Sequence, residues 1–470
     1  MMLLIVGIYL ALLLGIGWWC HRTRISGMTD FLLAGRRLGV FLCAAAMAAT
    51  HFGGGALMGG ASYGFRHGLS GAWYGISTGI GLLLLALFTA GRFRTLGLYT
   101  VPDYLATRYG GGIVRPLGAI LSLVALVGIL AAQVNAARGA FGIIGIDAQT
   151  AAIIATLVFI TYTAFGGLWA ATISDLVQIA IAGVGVVIAA IAVVVRADGI
   201  DGLTATLAAK GADEGYFRLT GAGGSMILWL LLPTVMYTLI GQDFYQRLFA
   251  ARDARVARRA ALGGGLFLVA ISFFPTLIGM GARGLSDLED SIQAVPWVLE
   301  HLLSPVVGGI ILAAILAAIM STADSLLTAA TSHIVKDLWI ETLHRDEVTE
   351  ERKLLRLSRW STVVLGGCAL LIGLASPGIV ETLIYSYTLY TAGVFVPILG
   401  GVLWQGATRA GALSAMAGGS LVALVGIVGD ITLGGAPTEI WAALASAAIF
   451  VIVSLATAKP GTDTERVGRA

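Results

Sequence analysis

An aspartate in the middle of a membrane-length apolar run constrains this chain more than any other feature. Residues 308–332, GGIILAAILAAIMSTADSLLTAATS, are long enough for a helix to cross a bilayer, and they carry Ser321, Thr322, Asp324 and Ser325 with no basic neighbour in sequence. An acid at mid-membrane costs about 2.5–3.5 kcal/mol on insertion scales, so it faces the protein interior and marks an ion or substrate path. At helical spacing Ser321, Ser325, Thr328 and Ser332 share one face, while Ala313, Ala314, Ala317, Ala318, Ala329 and Ala330 let neighbouring helices come close. The stretch reads as half of a cation site. A plainer reading has each hydroxyl bonded to its own i−4 carbonyl and the small residues serving packing; it fits a lone Ser321 better than it fits Asp324.

The rest of the chain has the same character. It is 58% hydrophobic and 12% charged, against about 45–50% and about 25% in soluble domains. This composition and the many apolar runs of about 20 residues indicate an all-α polytopic membrane protein. Residues 1–458 read as a single transmembrane domain and 459–470 as a polar cytoplasmic tail. The first segment, 1–20, lacks a basic start and is followed by Arg22, Arg24, Arg36 and Arg37, so it is expected to be a retained span rather than a signal peptide. Cys20, Cys43 and Cys368 have no metal-type spacing and are expected to be packing residues.

Thirteen spans are expected, near 1–20, 39–64, 71–90, 114–145, 151–167, 173–195, 225–247, 262–281, 308–332, 361–375, 379–403, 412–428 and 440–458. The second is interrupted by Thr50-His51-Phe52-Gly53-Gly54-Gly55. Three consecutive glycines cost roughly 1 kcal/mol each in a helix relative to Ala. Either the helix breaks there and its freed backbone lines a cavity, or the glycines form a close-packed seam. The seventh span contains Pro233 and Gly241 and is also expected to be broken. Asp175 opens the sixth, where it is either an interfacial acid beside a helix end or a functional one. With the N-terminus outside and the C-terminus in the cytoplasm, only Arg66, Arg196, Lys210, Arg218 and Arg283 of the 29 basic residues fall outside, with Arg138 in a span and the loop 247–259 inside. That asymmetry follows the positive-inside rule. Spans two to six (39–197) and seven to eleven (225–404) each open with a broken helix, and five helices per unit give the two units opposite orientations. Inverted repeats of this kind, with the substrate near the breaks, are a pattern of secondary transporters.

Five segments then carry a family resemblance: FLLAGRRLG, TVPDYLATRYG, YTAFGGLWAATISDLVQ, FYQRLFAARDARVARRA and AAIMSTADSLL. In this order and at this spacing, over nearly the whole chain, they resemble the sodium:solute symporter family. The resemblance implies a leucine-transporter-like five-plus-five inverted repeat with flanking helices. It also implies sodium as the coupling ion, held between spans two and nine by the carbonyls of Ala49, Phe52 and Ala318 and the hydroxyls of Ser321 and Thr322. A second sodium site in some relatives matches Asp175, Ser321, Asp324 and Ser325. The sequence departs at His51, where proline-type members carry an Asp; that argues against proline, and His51 either contacts substrate or holds the break by hydrogen bonding.

The expected function is a sodium-coupled symporter that imports a small organic solute, amino-acid-like or a carboxylate, by alternating access. The expected partners are that solute and the lipid bilayer, with no organic cofactor, nucleic acid or obligatory protein partner. Proposed lining residues are His51, Gly53, Gln133, Asn135, Tyr237, Gln242, Tyr385 and Tyr387, which are polar, aromatic or small near the breaks or on facing helices. The nearest alternative is proton coupling through His51 or Asp324. A membrane-embedded enzyme is disfavoured, because the six histidines show no ligand spacing. A transport-like sensor is disfavoured because the polar tail is too short for a signalling domain.

Overall fold

The computed structural model describes residues 2–142, 145–344, 350–375, 378–431 and 438–458, and the tail beyond them lies outside the described residues. Its principal helices are α1 (Met2–Thr23), α2 (Val40–His51), α3 (Gly60–His67), α4 (Trp73–Phe88), α5 (Val101–Tyr109), α6 (Val114–Gly142), α7 (Ala148–Arg196) and α8 (Gly224–Thr238). They continue as α9 (Gln242–Ala250), α10 (Ala254–Ile271), α11 (Phe273–Leu285), α12 (Pro305–Ser332), α13 (Glu351–Ala375), α14 (Ile379–Leu403), α15 (Arg409–Val428) and α16 (Thr438–Thr457). Among the described residues ten helical runs are long and apolar enough to cross a membrane, and the apolar α2 is shorter.

The helix that opens the sequence argument is also the physical centre. The most apolar window of the run containing α12 is 83% buried, against 67% or less for every other such run. It packs on α7 and α6, with α1, α2 and α13 completing its surroundings. A helix apolar all round, with its few polar groups on one stripe, is stable only inside such a bundle.

The expected break between α2 and α3 is present. Helix α2 stops at His51, Phe52 leaves helical geometry at φ −75, ψ 50, and a wider π-type turn, Gly55–Gly59, restarts the helix. The helix breaks at this run, and its glycines are also closely packed. A Cβ on Gly53 would overlap the Thr322 hydroxyl and lie 2.9 Å from Gln133 Oε1; one on Gly55 would lie 2.8 Å from the Tyr74 hydroxyl. Farther along, Gly64 and Gly279 make a seam between α3 and α11. A Cβ on Gly64 would lie 2.8 Å from Thr276 Cα, and one on Gly279 would overlap the Ala61 carbonyl.

Several expected boundaries differ. Spans five and six form one 49-residue helical run, α7, turned at Gly167 (φ 52, ψ −153). At 1.5 Å per residue it is about two and a half times the bilayer core, and only glycine adopts that turn readily. Helix α8 runs straight through Pro233 and breaks after Thr238, where Gly241 N–H bonds the Tyr237 carbonyl at 2.6 Å. The expected outer loop after Arg196 contains a helix, Gly199–Ala209, because Leu203 and Leu207, one turn apart, bury together near Gly284. Helix α13 begins ten residues earlier than expected, at Glu351. Cys20 and Cys43 are buried, but Cys368 is exposed on α13 and packs nothing there.

The end of α12 nearest α5 is held by a polar network. Thr100 caps α5 through a reciprocal box with Asp103, and its hydroxyl donates to Asp337 Oδ1 at 2.8 Å. Arg115 reaches Asp103 at 2.5 Å and Asp337 at 3.4 Å, while His333 bridges Asp337 and the Ser122 hydroxyl, each at 2.8 Å.

At the α3–α11 seam backbone meets backbone, with no room for a Cβ on Gly279. Gly279→Ala is expected to lose about 1–3 kcal/mol by overpacking, read as a lower melting temperature in detergent. Gly263→Ala on α10, whose Cβ would find its nearest neighbour at 3.8 Å, is expected to be neutral or to gain up to about 1 kcal/mol. Equal melting temperatures for the two variants would refute the seam.

Candidate cation site

The break frees carbonyls at the C-terminal, electronegative end of α2. Gly53 N–H turns to the His51 carbonyl at 2.7 Å instead of continuing the ladder to Ala49, and Gly54 N–H is taken by Gln133 Oε1 at 2.9 Å. The Ala49 carbonyl accepts from the Thr322 hydroxyl instead, at 2.9 Å across the interface between α2 and α12. Thr322 Oγ1 also lies 3.2 Å from the Ala318 carbonyl, to which Ser321 Oγ donates at 2.9 Å. One hydroxyl proton cannot serve two carbonyls at once, so lone pairs outnumber donors here. Ala49, Ala318, Ser321 and Thr322 are thus brought together at 2% exposure or less, with Phe52 ending the helix beside them. Neutral oxygens converging on a dry point suit a hard cation.

A second group lies one turn along α12. Asp175 of α7 is fully buried with neither carboxyl oxygen partnered, and Asp324 Oδ2 is likewise unpartnered, among the described residues. Asp324 Oδ1 accepts a long contact, 3.4 Å, from the Ser325 hydroxyl. Tyr162 Oη meets Ser174 Oγ at 2.5 Å beside them. The sequence reading placed Arg247 in an exposed cytoplasmic loop, and the structure corrects this. Arg247 is fully buried on α9, donates to the Ser325 hydroxyl through one Nη, and donates to the Asp243 carbonyl at 2.9 Å through the other. A lone arginine in a run of loop-like basic residues carries no burial signal; the signal available was Asp243 four residues earlier, on the same helix face.

The other candidates separate. His51 is buried, its ring 4.8 Å from that of Tyr74, with the Thr78 hydroxyl 2.9 Å from Nε2. Tyr74 Oη meets Tyr387 Oη at 3.3 Å, Tyr387 stacks on Tyr237 at 4.4 Å, and Tyr237 Oη donates to Asp243 at 2.9 Å. His51, Tyr387 and Tyr237 therefore form one column, in which sequence reasoning missed Tyr74, Thr78 and Asp243. Gly53 and Gln133 meet at the break, and Asn135 is buried farther along α6. Gln242 is elsewhere: its amide is committed to Val101 N–H at 2.8 Å and to the Tyr99 carbonyl and Ser332 hydroxyl, each at 3.2 Å. Tyr385 is 41% exposed and takes no part, since two residues along a helix turn its side chain to the opposite face from Tyr387. No group of three or more His, Cys, Asp or Glu residues could hold a metal ion among the described residues.

Comparison with known proteins agrees with this architecture. The chain is 28% identical to the sodium/pantothenate symporter of Escherichia coli (strain K12) over 451 residues, covering 91% of each chain. It is 27% identical to the high-affinity proline transporter of Bacillus subtilis (strain 168), covering 87% of this chain and 89% of that one. Among solved structures it matches a substrate-bound, outward-open Na+-coupled sialic acid symporter with a TM-score of 0.85 and 17% identity, covering 99% of both chains. The fold is thus the expected leucine-transporter-like one. The model of the sodium:solute symporter family matches residues 31–419, and this integral membrane protein belongs to that family.

Proposed function

We propose that the chain is a sodium-coupled symporter that imports a small organic solute by alternating access. The observation that carries this reading is the meeting of the Ala49 and Ala318 carbonyls with the Ser321 and Thr322 hydroxyls at the α2 break. Sodium, the driving cargo, binds there with Phe52 as a further carbonyl ligand. Joining two broken units, 39–197 and 225–404, the site responds to their relative tilt. A ligand shifts such an equilibrium only through its differential affinity, so sodium bound here favours the state in which both halves contribute. The distribution of basic residues supports an N-terminus outside and a C-terminus in the cytoplasm. Each net positive charge moved inward gains about 2.3 kcal/mol per 100 mV.

A second sodium ion enters at Asp175, Asp324, Ser325 and Ser321. Two buried carboxylates with three unpartnered oxygens support this, because buried charge of one sign needs compensation. The solute lies against the column of His51, Tyr74, Tyr387 and Tyr237. The relatives are named for pantothenate, proline and sialic acid, all carboxylates, which supports an amino-acid-like or carboxylate solute; His51 in the break argues against proline itself.

Uptake by proteoliposomes is expected to require external sodium and to carry net positive charge inward; full uptake in sodium-free medium under a pH gradient would instead make the proton the coupling ion. Ser321→Ala and Thr322→Ala are each expected to raise half-saturating sodium roughly ten- to hundredfold, the loss of about 1–3 kcal/mol for one ligand oxygen. The control is Thr328→Ala. Its hydroxyl bonds the Ser325 carbonyl at 2.9 Å and lies 3.3 Å from Gln246 Oε1, so sodium dependence should not change; identical behaviour of all three variants would make the stripe packing alone. Asp175→Asn is expected to remain folded and to lower the charge carried per solute. An unchanged ratio and sodium affinity would remove the second ion.

A further inference from the structure

The second site already contains a positive charge. Arg247 heads the large side chains that are fully buried in the molecule, yet its guanidinium is within 4 Å of no carboxylate oxygen among the described residues. Its contacts are a hydroxyl, Ser325 Oγ, and a carbonyl of its own helix, Asp243, and its Nε has no partner. The same Ser325 hydroxyl touches Asp324, whose Oδ2 is unpartnered, as are both oxygens of Asp175. A buried guanidinium without an ion-pair partner, one hydroxyl away from the Asp324 carboxyl group, with Asp324 Oδ2 and both oxygens of Asp175 unpartnered among the described residues, is an unfinished charge pairing.

We propose that Arg247 is a tethered cation of the Asp175–Asp324 site, supplying positive charge while the second sodium ion is absent and withdrawing when that ion enters. This rests on the reading that a second ion binds there. Two cations sharing the Ser325 oxygen repel in a dry interior. Sodium entry therefore sends the guanidinium back towards the Asp243 carbonyl, and Tyr237, hydrogen-bonded to the Asp243 carboxylate, receives the displacement. Arg247 is a positioning residue that sets how tightly the second ion is held and links its site to the aromatic column. The backbone of Arg247 is itself anchored, its carbonyl accepting from Cys43 Sγ of α2 at 3.4 Å, so the motion belongs to the side chain.

The test is equilibrium binding of radioactive sodium to the purified full-length protein in detergent, paired with sodium-dependent thermal shift; the second ion is the part of binding lost in Asp175→Asn. With its competitor removed, Arg247→Gln is expected to bind this ion about tenfold or more tightly, while Arg247→Lys, which keeps the charge and loses the planar fork, stays within about threefold of wild type. Asp324→Asn is expected to weaken the second ion about tenfold, and adding Arg247→Gln to it is expected to recover most of that loss, a coupling whose sign a double-mutant cycle reads. This second arm holds even if Arg247→Gln alone does not fold. A structural role for Arg247 predicts the opposite, with weaker sodium binding in Arg247→Gln and further loss in the double variant; either result overturns the proposal. If Asp175→Asn and Asp324→Asn both leave sodium binding unchanged, the second-ion reading falls and this inference with it. If both weaken binding while the double variant is worse still, only the inference about Arg247 falls.

Discussion

The contact between the Thr322 hydroxyl and the Ala49 carbonyl, 2.9 Å across two helices, is the point on which the structure turns. It exists because the α2 ladder is abandoned: Gly53 N–H folds back on His51 and Gly54 N–H goes to Gln133, leaving a carbonyl with no donor of its own. A buried, unpaired carbonyl costs free energy comparable to a lost hydrogen bond, and α12 can supply the missing partner only because residue 53 has no side chain. Glycine, broken helix and hydroxyl are therefore one device. Either a hydroxyl proton or a cation satisfies the same oxygens, which makes a structural contact exchangeable with a ligand.

The bundle and the centre of the site were legible in the sequence for definite reasons. Asp324 in an apolar run signals burial through its cost, and three glycines signal a break through theirs. Helical periodicity puts Ser321, Ser325, Thr328 and Ser332 on one face, and the pairing of Ser321 and Thr322 at the break is what the family resemblance implies. What stayed hidden depends on which side of a helix meets which neighbour. Arg247 lies in a stretch that reads as a basic loop, and apart from Asp243 one turn earlier nothing local distinguishes this buried arginine from the exposed Arg252 that follows it. Tyr385 and Tyr387 look equivalent in composition, but their two-residue spacing sends one outward. Gln242 is polar and adjacent to a break, yet its amide satisfies the backbone at the start of α5. The helix also continues through Pro233 and breaks only after Thr238, a position that composition alone does not mark.

Charge distribution separates the two proposed cation sites. The first is built from neutral oxygens and holds any charge only while its ion is present. The second has two buried carboxyl groups and a buried guanidinium, so a fixed positive charge stands there before any ion arrives. Ser321 and Ser325, one turn apart on α12, bring the two sites close enough for an ion in one to alter the field in the other. The column from Tyr237 through Tyr387 and Tyr74 to His51 starts at Asp243 and ends at the break, which gives both sites a packed route to the same aromatic surface.

The seam between Gly64 and Gly279 sets the kinematics of the fold. With backbone against backbone and no side chains to re-sort, α3 and α11 cannot slide past one another without separating completely. The segment of broken helix beyond Gly59 and the helix Phe273–Leu285 therefore behave as one rigid lever. Its fulcrum is the two-residue gap at Phe52 and Gly53, so over an arm of about 20 Å a rotation of a few degrees at the break becomes a displacement of about 1–2 Å at the far tip of α3.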